Sequence, residues 1–249
     1  MVAGFAAGAA LAGGCKVVGQ FDLKHTLATG ALVEGTNGVS SVVSPQGVAL
    51  EFSQKDWEFE NDALRNVVGA EAAGLRPDES ASNKTVRAGV VVVFAEALNV
   101  RMAVFTGEHG GVARLANREW GGESGLAENR GPAEGVRTRV NGVEGAPFVK
   151  NEWVVYTFVF PEEVPLGNAV LLGDNLTWLR RGFVGKMASL VLIGEGEVSD
   201  AALAGVEKAE ARRFGVAGFA PATDAERDGA RSIIGYNSHN AWSSLLILK

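Results

Sequence analysis

The chain has 249 residues, of which 47% are hydrophobic and 21% charged, as in a folded globular protein rather than a disordered one. Its net charge of −6 argues against a nucleic-acid partner, because nucleic-acid binders carry basic surfaces that displace counterions from phosphates. A single cysteine excludes both an internal disulfide framework and a cysteine-based zinc site. The 33 glycines are spread without a three-residue period, which predicts many tight turns between short strands.

The N-terminus admits two interpretations. Residues 2–14 are small and apolar and run into Cys15, which resembles a lipoprotein signal with Cys15 as the acylated residue; membrane attachment would then occur only through that lipid. No Lys or Arg precedes the apolar run, although a signal peptide normally begins with a positive region. The alternative is an Ala/Gly leader in which Cys15 is a small buried hydrophobe.

Strand patterns dominate from residue 48 onward. Residues 90–94 are β-branched or aromatic, which predicts a strand buried on both faces. Asn141-Gly142 is the favoured pair for a type I′ hairpin, because both residues tolerate positive φ. The predicted strands cover residues 48–52, 85–95, 102–105, 112–116, 136–140, 143–149, 153–160, 169–172, 186–193 and 242–248, with loops at 70–84 and 118–134.

Two helices follow the main group of strands. Ser199 is a suitable N-cap for a helix over residues 200–214, and Gly215 is suited to its C-terminal left-handed position. Thr223 and Glu226 form a capping box before a second helix that ends near residue 233. The fold class predicted from these patterns is all-β, an antiparallel jelly-roll β-sandwich with one or two short C-terminal helices. An apolar stripe on the first helix would dock on the sandwich; it contains Ala202, Val206 and Ala209.

The order of motifs between residues 48 and 216 resembles a known family. The strand at 48–52 is followed by the buried strand at 90–94, the Asn141-Gly142 hairpin and the strand at 153–158, and the block closes with the helix that begins at Ser199. This order resembles bacterial laminin-G-like jelly-roll modules of the concanavalin A-like class. We therefore divide the chain into an N-terminal leader and segment at 1–47, a sandwich at 48–216, and a C-terminal helix and strand at 217–249.

The resemblance implies a secreted or surface module that binds glycans or proteins, without catalysis of its own. Family modules often hold Ca²⁺ with loop oxygens, and Asp174 and Asn175 could supply two such ligands. An ordinary Asx turn at the same two residues is the competing interpretation. No other cofactor is expected.

A glycan site needs an aromatic platform beside planar polar side chains, and loops are where sandwiches place their binding residues. The candidate ligand-binding residues on predicted loops are His109, Trp120, Trp178 and Arg180. Trp57 and Trp153 fit strand cores instead. We therefore expect a non-catalytic extracellular or cell-surface module that recognises a glycan or a surface protein.

Two other functions remain open. The chain could be a structural subunit of an extracellular assembly such as a pilus, fibre or virion coat, and a homo-oligomer; an apolar patch or an open edge strand would favour this. It could also be a glycoside hydrolase, for which Glu58, Glu60 and Asp62 are candidates on one strand face. Arg65 stands where related glucanase motifs carry their second Glu, so one catalytic carboxylate of that motif is missing.

Overall fold

The computed structural model describes residues 15–24, 31–35, 37–97, 103–107, 113–114, 135–173, 182–194 and 196–234. These residues form antiparallel sheets and two C-terminal helices, which confirms the predicted all-β sandwich. The predicted strand at 242–248 lies outside the described residues.

The larger layer is sheet A, an eight-stranded antiparallel sheet. Its strands are β1 (Lys16–Asp22), β5 (Trp57–Glu60), β6 (Ala63–Asn66), β8 (Thr85–Ala95), β11 (Arg137–Val140), β12 (Val143–Glu144), β13 (Trp153–Pro165) and β15 (Gly185–Gly194). They run in the order β12–β11–β13–β8–β15–β6–β5, and β1 also pairs with β15. The long central strands β8, β13 and β15 carry most of the β-branched and aromatic residues of the sheet, which favours their position in its middle.

The second layer consists of two smaller sheets that meet at one bridge. Leu75 and Leu171 exchange two backbone hydrogen bonds, of 2.8 and 2.9 Å, and so join sheet B to sheet C. The strands of these two sheets are β2 (Leu32–Glu34), β3 (Val39–Val43), β4 (Ala49–Ser53), β7 (Arg76–Pro77), β9 (Ala103–Thr106), β10 (Ala113–Arg114) and β14 (Val170–Leu171). Sheet B has the order β2–β3–β4–β7 and sheet C the order β10–β9–β14.

Sheet A is buried on both faces, as residues 90–94 predict. Its inner face packs on sheets B and C and includes Val91 and Val93. Its outer face includes Val90 and Val92, which pack on the helices. Alternate side chains of one strand therefore enter two separate cores, because successive side chains of a strand point to opposite faces.

The helices form a third layer on the outer face of sheet A. They are α1 (Asp200–Phe214) and α2 (Asp224–Ile234). The Ser199 hydroxyl accepts a hydrogen bond from the Ala202 amide, and Gly215 takes a left-handed φ of 70°, so both predicted caps of α1 are confirmed. The capping box of α2 is confirmed by hydrogen bonds in both directions between Thr223 and Glu226, of 2.7 and 3.3 Å.

The sequence patterns do not predict several of the strands in the structure. The segment before residue 48 contributes β1 to sheet A and β2 and β3 to sheet B, and the expected loop at 70–84 contains β7 and two 3₁₀ turns. The return strand predicted over 143–149 is shorter, spanning β12 alone. β1 and β7 pair with strands that are not their neighbours in the chain, β15 and β4, which local patterns do not encode. β2 and β12 are only three and two residues long, too short for a clear alternation of apolar and polar residues.

Candidate binding surface

All six residues that the sequence predicts to bind a ligand or calcium lie outside the described part of the chain. These are His109, Trp120, Trp178 and Arg180 for a ligand, and Asp174 and Asn175 for calcium, all of which stay predictions. Among the described residues, no group of three or more His, Cys, Asp or Glu side chains could hold a metal ion.

Cys15 directly precedes β1 and its side chain is buried in the core between the helices and sheet A. Burial raises the pKa of the Cys15 thiol. These surroundings are those of a small packed hydrophobe, and acylation of Cys15 stays a prediction.

The acidic segment at residues 57–62 forms an ordinary hairpin. β5 ends at Glu60, and Asn61 and Asp62 have φ of 49° and 63°, the positive values of a two-residue turn into β6. The expectation of three carboxylates on one strand face is therefore wrong for Asp62. Trp57, by contrast, is buried in the inner core as predicted.

Glu60 is held as an ion by two cations. Its carboxylate accepts hydrogen bonds from Arg65 Nη1 at 2.7 Å and from Lys186 Nζ at 3.1 Å. These two donors keep the pKa of Glu60 below its ordinary value. A general acid of a glycosidase needs the opposite shift, so this carboxylate is suited to ion pairing rather than to proton donation. Arg65, at the position of the missing catalytic Glu, is a partner of Glu60.

A row of side chains crosses five strands on the outer face of sheet A, and its first member, Trp153, packs against the helix-side core. Phe94 and Trp153 lie opposite each other on β8 and β13, with ring centroids 5.6 Å apart and an interplanar angle of 58°. Both rings are half-buried, so each keeps part of its surface in solvent. We call this set the outer row; in order across the sheet it contains Trp153, Phe94, Lys186, Arg65 and Glu58.

The two cations of the outer row, Arg65 and Lys186, have carboxylate partners. Besides Glu60, Arg65 contacts Glu96, with 3.4 Å between Nε and Oε1. Hydrogen bonding to Glu60 and attraction to Glu96 raise the pKa of Arg65. The Arg65 side chain is 36% exposed and that of Lys186 21%, so both cations reach solvent beside the aromatic pair. The row therefore offers two aromatic rings next to an ion-pair network of planar and hydrogen-bonding groups.

A recess at the opposite end of sheet A is a weaker candidate. Its two arginines are already engaged: Arg137 pairs with Asp200 at 2.9 Å, and Arg87 donates a hydrogen bond to the Pro161 carbonyl. Glu197 also lines this recess, which further disfavours an anionic ligand.

Sequence reasoning missed the outer row because its members are far apart in the chain. Phe94 belongs to the run at 90–94, and Trp153 begins a strand that looks wholly buried. The period-2 alternation could have placed both on one face, but only the pairing register shows that they meet.

The helices of the described residues are too short and too polar to span a membrane. No family model matches the chain, and searches of curated proteins and of solved structures likewise find no match.

Proposed function

We propose that this chain is a non-catalytic binding module that recognises a neutral glycan at the outer row of sheet A. The observation that carries the proposal is the half-buried pair Phe94 and Trp153 beside Lys186 and Arg65. Sugar rings have apolar C–H faces that pack on aromatic rings, and hydroxyl groups that hydrogen-bond to planar polar side chains. Binding sites of this kind combine an apolar platform with a few placed polar groups.

Charge balance favours a neutral glycan over an acidic one. The two cations of the row face three carboxylates, those of Glu58, Glu60 and Glu96. An acidic sugar would have to compete with Glu60 for the same donors, whereas a neutral sugar can use the carboxylates as acceptors for its hydroxyl groups. The whole chain is also acidic, which repels polyanions.

The proposed setting is the extracellular space or the cell surface, as implied by the resemblance to laminin-G-like modules. Attachment through a lipid on Cys15 belongs to the same proposal. Calcium at Asp174 and Asn175 is its one proposed cofactor.

The test is a screen of the purified chain against neutral and uronic-acid oligosaccharides, with affinities then measured by calorimetry. We expect Trp153→Ala and Phe94→Ala to weaken binding roughly tenfold or more, as loss of a central aromatic contact does. Trp153→Phe keeps a ring and should retain part of the affinity. Val198→Ala is the matched control, because Val198 packs on the same helix-side core but lines the recess at the far end of the sheet.

Three outcomes would contradict this assignment. Binding to no glycan at all would remove the function. If Trp120→Ala or Trp178→Ala loses binding while Phe94→Ala binds as the wild type does, the site lies on the predicted loops and not at the outer row. Preferential binding of uronic-acid oligosaccharides would refute the neutral class while keeping a glycan function.

One observation favours the second candidate function, a structural subunit of an extracellular assembly. On the outer face of sheet B, Val33 and Val39 are 50% and 43% exposed, and among the described residues β2 pairs with β3 alone. An open edge with apolar side chains is a template for pairing between subunits. Analytical ultracentrifugation of the wild type and of Val33→Glu tests it: ordered oligomers that Val33→Glu abolishes would support assembly, and a monomer at all concentrations would refute it.

A further inference from the structure

The face of α1 that packs on sheet A carries two buried carboxyl groups. The side chain of Glu207 is 1% exposed and that of Glu210 is 0% exposed. Both lie among apolar residues of the helix-side core, including Leu203 and Val206. Burying a carboxylate is costly unless a cation or several hydrogen-bond donors surround it.

Glu210 has few such partners. The Ser189 hydroxyl of β15 donates a hydrogen bond to Oε2, and Oε1 has no hydrogen-bond partner among the described residues. Arg213 Nη1 lies 3.8 Å from Oε1, beyond hydrogen-bonding distance, while Nη2 of the same side chain pairs with Asp22 of β1. The cation nearest to Glu210 is thus shared with a second carboxylate.

The other charged groups around this interface have partners of their own. Arg139 of β11 pairs with Glu207, with 3.3 Å between Nε and Oε1. The strands β8 and β13 contribute valines and Thr157 to this face. The charged residues of α2 form ion pairs within the helical layer. These pairs are Glu226 with Lys208 of α1, Arg227 with Asp224, and Arg231 with Asp228.

We propose that the helical layer of α1 and α2 is a pH-sensitive cover of sheet A, which is docked while Glu210 is protonated and loosens when Glu210 ionises. Loosening would expose the apolar outer face that contains Val90, Val92 and Val191. This device is independent of the proposed glycan function.

The direction follows from the pKa. Burial raises the pKa of Glu210 to about 7, although the hydrogen bond from Ser189 opposes the shift. Burial likewise raises the pKa of Glu207. Because the pKa of Glu210 in the folded protein lies above its unfolded value near 4.3, docking is strongest below about pH 4 and weakens as pH rises through 7.

Amide hydrogen exchange of the full chain from pH 5 to pH 8, corrected for intrinsic exchange rates, measures this opening. We expect the opening equilibrium of α1 and α2 to increase on the order of 50-fold across that range, while β8 and β13 keep their protection. Glu210→Gln keeps the shape and the hydrogen bond to Ser189 but cannot ionise, so its opening should depend on pH much less than that of the wild type. The dependence that remains comes from Glu207, and it should disappear in Glu207→Gln/Glu210→Gln.

Matched variants separate this device from general charge effects. Glu162→Gln, on an exposed part of β13, should retain the full pH dependence of the wild type. Ser189→Ala should increase opening at every pH, since it removes the hydrogen bond that the Glu210 carboxyl group receives from the described residues. The same pH dependence in Glu210→Gln as in the wild type, or simultaneous loss of protection in the helices and in β8, would overturn the proposal.

Discussion

Gly205 of α1 lies directly against the backbone carbonyl of Glu226 in α2: a Cβ at position 205 would sit 1.9 Å from that oxygen. A glycine of α2 makes a similar close contact with α1, because a Cβ at Gly229 would lie 2.6 Å from the Ala202 Cα. The two helices can approach this closely only because both positions lack a side chain.

We therefore expect Gly205→Ala to destabilise the fold by about 1–3 kcal/mol, the usual cost of overpacking, even though Ala favours a helix more than Gly does. Chemical denaturation measures the change. Ala201→Gly, at an exposed position of the same helix, is the control for helix propensity and should cost no more than about 1 kcal/mol. A Gly205→Ala protein as stable as the wild type would show that the helices are not packed in this way.

The Asn141-Gly142 turn offers a comparison between two hairpins. Asn141 Oδ1 accepts a hydrogen bond from the Val155 amide at 2.9 Å, in addition to the backbone bond of 2.8 Å between Asn141 N and Val155 O. Asn61 has the same positive φ in its own turn but its side chain reaches only Glu60, at 3.5 Å. Asn141→Ala should thus lose about 1 kcal/mol more stability than Asn61→Ala, the worth of one hydrogen bond. Equal losses in thermal or urea unfolding would contradict this.

These two turns also show how far the sequence predicts the fold. Asn141-Gly142 was predictable because its pair of residues selects a turn type locally, with φ of 50° and 78° as expected. Asn61-Asp62 carries a weaker signal, and that hairpin was instead interpreted as a continuous strand. Strand β1 depends on β15, more than 160 residues away, and β7 pairs with β4 across an intervening hairpin, and no local pattern specifies such contacts.

The buried acids of α1 were missed for a different reason. The expected apolar stripe follows Ala202, Val206 and Ala209. In the structure Ala209 is only half-buried, and the buried face includes Leu203, Glu207 and Glu210 at spacings of four and three. That spacing places the acids on the face that contains Leu203, but acidic residues are rarely assigned to a core without a visible partner. The partners Arg139 and Ser189 come from β11 and β15.

Arg139 and Arg137 both lie on β11 and each forms an ion pair with an acid of α1, so the two ion pairs can be compared directly. Arg139 pairs with the buried Glu207, whereas Arg137 pairs with Asp200, whose side chain is 67% exposed. Arg139→Met should destabilise the protein by about 3 kcal/mol at pH 7, because it leaves a buried carboxylate without its cation. Arg137→Met should cost at most about 1 kcal/mol, as exposed pairs do.

The effect of Arg139→Met should also depend on pH. Burial already raises the pKa of Glu207, and removing the cation raises it further. The variant therefore regains stability as pH falls and Glu207 becomes protonated. Urea unfolding at pH 5 and pH 8 measures this as the difference in stability from the wild type, since Glu210 is present in both proteins. In a Glu207→Gln background the further cost of Arg139→Met should change little between the two pH values. A single-variant cost that is the same at both pH values would refute the buried pair.

The compensated charge of the outer row gives a prediction about ligand selectivity. In Glu60→Gln/Glu96→Gln both carboxylate partners of Arg65 are neutral, and Lys186 loses its ion pair with Glu60. Glu58 is then the one remaining carboxylate of the three that face Arg65 and Lys186, so the row has a net positive charge beside Phe94 and Trp153. This variant should therefore gain affinity for uronic-acid oligosaccharides and lose affinity for neutral ones. Glu162→Gln/Glu152→Gln changes the net charge equally at exposed positions on and next to β13, and should leave the preference as in the wild type. Because attraction between exposed charges is screened by salt, the gain should shrink between 50 and 500 mM NaCl, conditions chosen to span about 14 to 4 Å of screening length. If both double variants keep the wild-type preference, the ion pairs of the row do not determine which glycans bind.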